Sequence, residues 1–571
     1  MLDNNFAYPT LLSASRIHVE VTQEYIDSCS ALENEYVCSN DLLEQLNVRI
    51  ECENAIREKS HHLAILKELP NICVVGLMSA HPHLAVVTGG DKSGNGNKPF
   101  LTYEEKMELP VVYYNADGDN AGVWESANRP LGLFGSIVER YKPGATDKDK
   151  KEIFSSVKGK LRTIYKCVIP YYAAMNNCIY DVLHKKAIPF SPDLVFTAKS
   201  HINFNAAAVN PFIYIEEDGT TWDVISWLNS LGTPEFVEQI KDVIQAVLLP
   251  LAPRGKSVWF YSPTGNNGKG TIAALLRNLV TDSVTVNIPL SQFGEPFGLA
   301  ELPKAMAIIT DENEVDSFNK AGMEKFKAVV TGDAVTINKK YENPYKFYFN
   351  GLVLECMNSL VETTDKSNSF YRRLHIIKFS ECFTGKERRY IKQRLIYRTD
   401  VLEFIAKMVL QDMEYKEAFT ETPMIKDALS EYISSTNSVA EYLDTILPKA
   451  KWNLLPAKDF LYEGYKTYCK KTNPNGKIKK YPKFINSVKD YISKNPDWEW
   501  TDCCRSDGYI DGNVTEPLLL EYEMEPFRNR LCYVPYDPTS QYSVSGCLKE
   551  KYSGLKRKGF TKQQATVTNN P

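Results

Sequence analysis

The chain has 571 residues, 43% of them hydrophobic and 24% charged, with a formal net charge of −4. That length exceeds one hydrophobic core and implies three or four domains, and the balanced charge confines any nucleic-acid surface to a local patch. Thirteen cysteines without a C-x-x-C pair point to reduced thiols and exclude a disulfide framework. No stretch approaches the ~20 apolar residues of a membrane span. Met1 to Val21 lacks the basic-then-apolar order of a signal peptide, so we expect a cytosolic protein with no membrane partner.

Met1 to about Val37 is polar and carries little pattern. Ser39 is the expected N-cap of a helix holding Leu42, Leu43, Leu46, Ile50 and Ile56. Ile72 to Val87 contains two apolar runs, Cys73 to Val75 and Leu84 to Val87, read as short strands, and Gly89 to Asn97 reads as a loop. His81 and His83 lack further metal partners and are read as surface or core histidines. Asp117-Gly-Asp119-Asn-Ala-Gly122 follows the apolar Val111 to Tyr114 and has the form of an acidic primase motif. That chemistry needs another carboxylate on a nearby strand, and Pro130 interrupts the helix that should follow, so an Asx-rich turn is preferred. Lys142 to Lys160 is charged, helical or linking. Helices are expected at Trp222 to Leu231 and Phe236 to Leu248, ahead of Pro250 and Pro253.

Val258 to Tyr261 reads as a buried strand, Pro263 to Gly270 as a loop rich in Gly and Asn, and Ile272 to Val280 as an apolar helix. A strand turning through such a loop into a helix N-terminus cradles phosphate. Backbone N–H groups and the helix dipole favour an anion, and a lysine meets the outer phosphates. The cradle is Thr264, Gly265, Asn266, Asn267, Gly268, Lys269, Gly270 and Thr271. It departs from G-x-x-x-x-G-K-[ST], because Pro263 stands at the first glycine and Gly270 at the magnesium-binding hydroxyl, with Thr271 one residue late.

Ala305 to Thr310 is an apolar strand ending at Asp311-Glu312-Asn313. There Asp311 would hold Mg²⁺ through water and Glu312 would polarise an attacking water. Val335 and Ile337 alternate with polar neighbours, and Lys339 and Lys340 end that strand, either solvated or meeting a phosphate backbone. Leu352 to Met357 is a further strand ending at Asn358, where a γ-phosphate sensor would stand. Arg372 and Arg373 then precede the apolar His375 to Phe379, as a structural ion pair or as a finger reaching a neighbouring subunit's ATP.

The order Gly-Asn-Asn-Gly-Lys-Gly-Thr, Asp-Glu-Asn, Thr-Gly-Asp with Lys-Lys, Met-Asn-Ser and Arg-Arg-Leu resembles the superfamily 3 helicases of the AAA+ class. It is most similar to their phage, plasmid and poxvirus primase-helicase branch, and in layout to replication initiator helicases of staphylococcal phages and pathogenicity islands. The resemblance covers about Met175 to Phe379. It implies a homo-hexameric ring with ATP and Mg²⁺ at subunit interfaces, single-stranded DNA in the pore and 3′→5′ translocation. It makes Lys269 the phosphate lysine, Asp311 and Glu312 the acidic pair, Asn358 the sensor, Lys339 and Lys340 the pore lysines, and Arg373, or alternatively Arg372, the finger. Thr271 or water would supply the missing magnesium ligand.

Lys386 to Tyr415 is read as helices closing this domain and Glu421 to Ser438 as a linker. Helices are expected at Pro456 to Lys471 and Tyr481 to Ser493, and a hairpin at Trp498 to Asp511. Lysines gather at Lys470, Lys471, Lys477, Lys479, Lys480 and Lys483. This fits a winged-helix-like domain binding double-stranded origin DNA, and Gly554 to Pro571 is read as a disordered tail.

The expectation is therefore an α/β AAA+ ATPase core, a parallel sheet flanked by helices, between an α-rich N-terminal region and a winged-helix-like C-terminal domain. The segments are 1–147, an N-terminal domain; 148–250, a helical collar for oligomerisation; 251–420, the superfamily 3 helicase domain; 421–445, a linker; 446–553, the origin-binding domain; and 554–571, a tail. The implied activity is that of a replicative DNA helicase and initiator of a phage or mobile element in a bacterial cytoplasm. Its alternatives are an ATPase remodelling or packaging DNA, a primase-helicase, and a DNA-binding scaffold with a degenerate ATPase.

Overall fold

The computed structural model describes residues 12–29, 32, 34–89, 101–313, 320–340, 344–361, 368–472, 478–493, 495–505, 509–510, 516–524 and 551–560. The loop expected at Gly89 to Asn97, apart from Gly89 itself, Lys477 of the lysine cluster, most of the segment after Arg505 and the tail beyond Phe560 lie outside these residues. The chain forms two units, Met1–Ala428 and Leu429–Pro571.

The first unit begins with helices Ala14–Ser28, Glu35–Ala55 and Asn71–Ala80. The polar start thus hides a helix, which buries Ile17, Val21 and Tyr25 along one face. Ser39 is not the N-cap of the second helix. The Asn34 side chain caps it by accepting from Val37 N, and Ser39 lies a turn inside. Cys73 to Val75 is helical rather than extended, because Cys73, Val74, Val75, Leu77 and Met78 are buried nearly all round, an environment that erases helical periodicity. Gly76 permits that packing, since a Cβ there would lie 2.6 Å from Thr22 Cγ2.

These helices pack on a four-stranded sheet ordered Trp124–Ser126, Val111–Tyr114, Leu84–Thr88, Thr163–Tyr165, so the N-terminal region is rich in helix, as expected, and holds a small sheet besides. Its core includes Ile153 and Val157 of helix Asp147–Lys158, and the expected boundary at 147/148 therefore falls at the start of a helix of this core. The stretch 148–250 is not helical throughout. Strands Tyr172–Ala174, Ile179–Asp181 and Lys186–Ile188 form an antiparallel meander, and Ile213–Ile215 pairs with Thr220–Trp222, before helices Val224–Asn229 and Pro234–Leu248. Short strands joined by turns carry too little periodicity to announce themselves.

A five-stranded, wholly parallel sheet follows, ordered Thr285–Val286, Ala307–Thr310, Leu352–Met357, Ser257–Tyr261, Leu374–Lys378. Its strands are near-continuous apolar runs because both faces are covered, as a parallel sheet requires. Val258 and Phe260 face a core shared with Ile240, Ile244, Leu275 and Leu279. On the opposite face the Trp259, Phe370, Phe326 and Phe293 rings are in contact. Ala334–Ile337 and Tyr345–Tyr348 form a separate antiparallel hairpin. Arg389–Gln393 and Thr399–Lys407 are helical, as expected for the closing segment.

The segment read as a linker is instead part of helix Pro423–Ile446, which carries apolar residues such as Ile425 and Val439 into buried positions. In the second unit, Ala457–Tyr462 is a π-helical turn leading into helix Glu463–Thr472, and Tyr481–Ile492 is helical as expected. The hairpin expected at Trp498 to Asp511 lies partly outside the described residues, and the strand Trp498–Arg505 has its partner elsewhere. It pairs antiparallel with Lys551–Arg557, which also pairs with Leu454–Pro456. Gly554 to Arg557 is therefore a strand and not a disordered tail, and Leu555 is fully buried in it. The short-range turn chemistry after Arg505 gave no sign of so distant a partner.

Candidate functional site

Parallel strands deliver their C-terminal ends to one edge of a sheet, where loops and helix N-termini form a crevice. Strand Leu352–Met357 lies between the strand entering the glycine-rich loop and the strand ending at the acidic pair, with Met357 opposite Tyr261 and Glu355 opposite Thr310. That order brings Ser262, Asp311 and Asn358 to one edge.

The loop from Ser262 enters helix Lys269–Val280 through Gly268, whose φ of +88° is a left-handed conformation that favours glycine. Asn266 is also left-handed, at φ +54°. Asn267 ties the loop internally, as its Oδ1 accepts from Lys269 N at 3.2 Å and its Nδ2 donates to Thr264 O at 2.5 Å. From outside, Phe383 N donates to Asn266 O at 2.7 Å and Asn266 Nδ2 donates to Glu387 Oε1 at 3.1 Å.

Lys269 Nζ donates to Asn358 Oδ1 at 2.7 Å, Met357 O at 2.8 Å and Ser262 O at 3.3 Å. Burial lowers its pKa, against the opposing pull of Cys356 and the Glu312 carboxylate, and its direct hydrogen bonds all go to neutral carbonyl oxygens. Asn358 Nδ2 in turn donates to Glu312 Oε1 at 3.3 Å. A continuous polar chain thus joins the loop lysine, the strand-end asparagine and the second acid.

Asp311, with a side chain 61% exposed, accepts from Arg277 Nη1 at 2.9 Å, and Arg277 Nη2 donates to Ile309 O at 2.9 Å. Asn313 is buried beneath the pair. Its Oδ1 accepts from Leu290 N at 2.9 Å, and its Nδ2 donates to Glu355 Oε2 at 2.8 Å. Desolvation pushes the fully buried Glu355 carboxyl up to about 8, so it is neutral at pH 7 and its bond to Asn313 holds the acidic turn on the central strand.

Thr271 is half-buried in the first helical turn. A Cβ at Gly270 would stand 3.3 Å from Lys392 Nζ, so a lysine ammonium approaches where the usual loop carries a hydroxyl. Thr271 and Asp311 supply hard oxygen donors, the chemistry that suits Mg²⁺ with the remaining ligands from phosphate and water. Among the described residues no group of three or more His, Cys, Asp or Glu side chains could hold a metal by itself.

The arginine pair divides. Arg373 Nη1 donates to the Ser369 carbonyl and, at 2.9 Å, to Ser369 Oγ, whereas Arg372 is exposed. Lys339 and Lys340 follow strand Ala334–Ile337, with Lys340 exposed at the hairpin turn. They are not at the sheet edge that gathers Lys269, Asp311, Glu312 and Asn358. His81 is buried at 3.5 Å from Glu35 Oε1, as a core histidine, and the segment after Val111–Tyr114 is a turn in which Asn115 and Asn120 donate to Glu125.

Arg277, Lys392 and Glu355 were not singled out from the sequence, and Asn313 stood there only as the end of Asp-Glu-Asn. Of the first three, Arg277 alone carried a signal, as a cation two turns beyond Lys269 on the same helix. The other contacts are non-local.

Residues 260–373, from the loop strand to the arginine pair, match the model of a family of unknown function (DUF5906). Among solved structures, the chain is similar to the apo C-terminal region (305–718) of NrS-1, at 12% identity over 72% of this chain and 91% of that one, with a TM-score of 0.38. An A-form apo structure of the NrS-1 C-terminal region shares 12% identity over 64% and 78% of the two chains, with a TM-score of 0.35. JCV helicase, bound to an N-phenylacetamide derivative, shares 13% identity over 39% of this chain and 64% of that one, with a TM-score of 0.25.

Proposed function

We propose that this protein is an ATP-driven DNA helicase that starts replication of a phage or mobile element. The observation that supports the reading most is the hydrogen-bonded chain Lys269–Asn358–Glu312, in which a lysine, an asparagine and a carboxylate meet at one edge of a parallel sheet. ATP would seat its phosphates on the backbone N–H groups of the loop and the N-terminus of helix Lys269–Val280. The Lys269 ammonium, now shared among carbonyl oxygens, would turn to the outer phosphates. Asn358 would then pass from Lys269 to the γ-phosphate and sense its loss. Glu312 would orient and accept a proton from the attacking water as the bond between the γ-phosphorus and its bridging oxygen breaks. Mg²⁺, held by Thr271 and Asp311, would offset charge on the phosphate oxygens. Arg277 neutralises Asp311 and is placed to release it.

Hydrolysis in turn around a homo-hexamer would draw single-stranded DNA past Lys339 and Lys340 in the 3′→5′ direction, with Arg372 completing the neighbouring subunit's site. The exposure of Arg372 and the engagement of Arg373 by Ser369 favour Arg372 for that part. The second unit, with helices Glu463–Thr472 and Tyr481–Ile492 beside a three-stranded antiparallel sheet, supports a winged-helix-like reader of double-stranded origin DNA.

Phosphate release from ATP by the whole chain, measured with and without oligo-dT, tests the reading. Turnover that rises with the oligonucleotide is expected. No turnover by the wild type would leave only a DNA-binding scaffold.

A further inference from the structure

A cavity of about 950 Å³ lies within the first unit, between the N-terminal sheet and the hairpin Ala334–Ile337/Tyr345–Tyr348. That volume is at the upper end for small-ligand sites, roughly 300–1,000 Å³. Among the described residues, six Lys and Arg side chains and three acidic side chains line it. Two of the acids are matched. Glu301 pairs with Lys304 at 2.5 Å, and Asp119 lies beside Lys199, whose ammonium donates to Ala121 O at 2.9 Å and Asn176 O at 3.2 Å. The wall is left with surplus positive charge.

Lys166 concentrates that surplus. It follows strand Thr163–Tyr165, and its ammonium stands 4.8 Å from the centre of the Phe347 ring on the hairpin. Among the described residues no carboxylate or hydrogen-bond acceptor meets it. Burial alone acts on it and lowers its pKa to about 8. A half-buried ammonium held by a ring face gains from an anion that reaches it. Tyr348 extends the aromatic surface. Its ring packs on Gly89, where a Cβ would lie 3.0 Å from it, and it is 39% exposed. Lys339 lines the same cavity.

Lysines interleaved with aromatic faces in a groove are the composition that holds a nucleic-acid strand, cations for phosphates and rings for unstacked bases. An acidic peptide would use the lysines and leave the rings idle. We propose that this cleft binds single-stranded nucleic acid, with a backbone phosphate at Lys166 and bases against Phe347 and Tyr348. It thereby extends the track of the hairpin lysines onto the N-terminal sheet. The inference rests on the DNA-motor reading and adds a role for the N-terminal region, which would grip the strand that the hairpin moves.

The test is anisotropy of fluorescently labelled oligo-dT with the whole chain, comparing wild type, Lys166→Ala, Phe347→Leu, Lys166→Arg and Lys340→Ala. Lys166→Ala and Phe347→Leu should each weaken binding about tenfold or more, the range of one stacked base or one buried phosphate contact. Lys166→Arg should retain binding, and ATP hydrolysis without DNA should be unchanged in the two Lys166 variants and in Phe347→Leu. Iodouridine placed in the oligonucleotide should cross-link to Phe347 or Tyr348. If Lys340→Ala weakens binding while Lys166→Ala and Phe347→Leu do not, the cleft proposal is overturned and the motor reading stands. If the wild type binds no oligonucleotide, the motor reading itself falls. A labelled nucleoside triphosphate that binds Lys269→Ala, and is lost on adding Lys166→Ala, would show that the cleft takes a free nucleotide and would overturn the strand assignment.

Discussion

Lys269 Nζ and Asn358 Oδ1 are 2.7 Å apart, joining the glycine-rich loop to the end of the central strand. The same asparagine reaches Glu312 through its nitrogen, so a change at any one of the three side chains is felt by the other two. The three do different work, and substitutions should separate them.

Glu312→Gln should keep ATP binding, because the phosphate-facing groups are untouched, and lose turnover by about 10²-fold or more, the cost of removing one transition-state group. Filter binding of labelled ATP beside phosphate release checks this. Equal loss of binding and turnover would assign Glu312 a structural part. Asn358→Ala should lower turnover and free Lys269, with little effect on folding, since Asn358 is exposed.

The arginine pair gives a second separation. Arg373→Ala removes the contacts to Ser369 and should lower the melting temperature. Arg372→Ala should leave melting unchanged and reduce turnover about 10³-fold, the lower range for a finger arginine. Mixing Arg372→Ala with Lys269→Ala protein should restore partial turnover if the arginine acts on a neighbour's ATP. The reverse pattern of melting and turnover would return the finger to Arg373.

Glu355 makes stability depend on pH. Its folded pKa, about 8, lies above its ordinary value of 4.5, so the folded chain keeps a proton that the unfolded chain releases. The associated stability is full below about pH 4.5 and is lost as pH climbs to about 8, at up to about 1.4 kcal/mol per pH unit. Glu355→Gln keeps the neutral shape and a carbonyl for Asn313. Its melting temperature should therefore gain on the wild type between pH 5 and pH 8. A constant difference across that range would contradict the buried-acid account.

Much of the core site was legible because each functional side chain ends an apolar run. Tyr261, Thr310 and Met357 close three strands, and the residues of the candidate site follow them. The order of those strands was not legible, since register between distant segments leaves no local trace. Arg277 on Asp311 and Glu355 under Asn313 depend on that order and were hidden with it. Cys73 to Val75 reads as a strand in the sequence yet is helical, because burial on most sides of helix Asn71–Ala80 blurs its period. The pairing of Trp498–Arg505 with Lys551–Arg557 spans dozens of residues, whereas the turn residues after Arg505 argued for a local hairpin. Ile17, Val21 and Tyr25 did show the spacing of a helix face, weakened by the polar residues between them.

The most direct measurement is ATP-dependent displacement of a labelled strand from forked DNA by wild type and by Lys269→Ala. The account predicts displacement that requires a 3′ tail and disappears in the variant. ATP hydrolysis without displacement would contradict the helicase assignment and leave an ATPase that remodels or packages DNA.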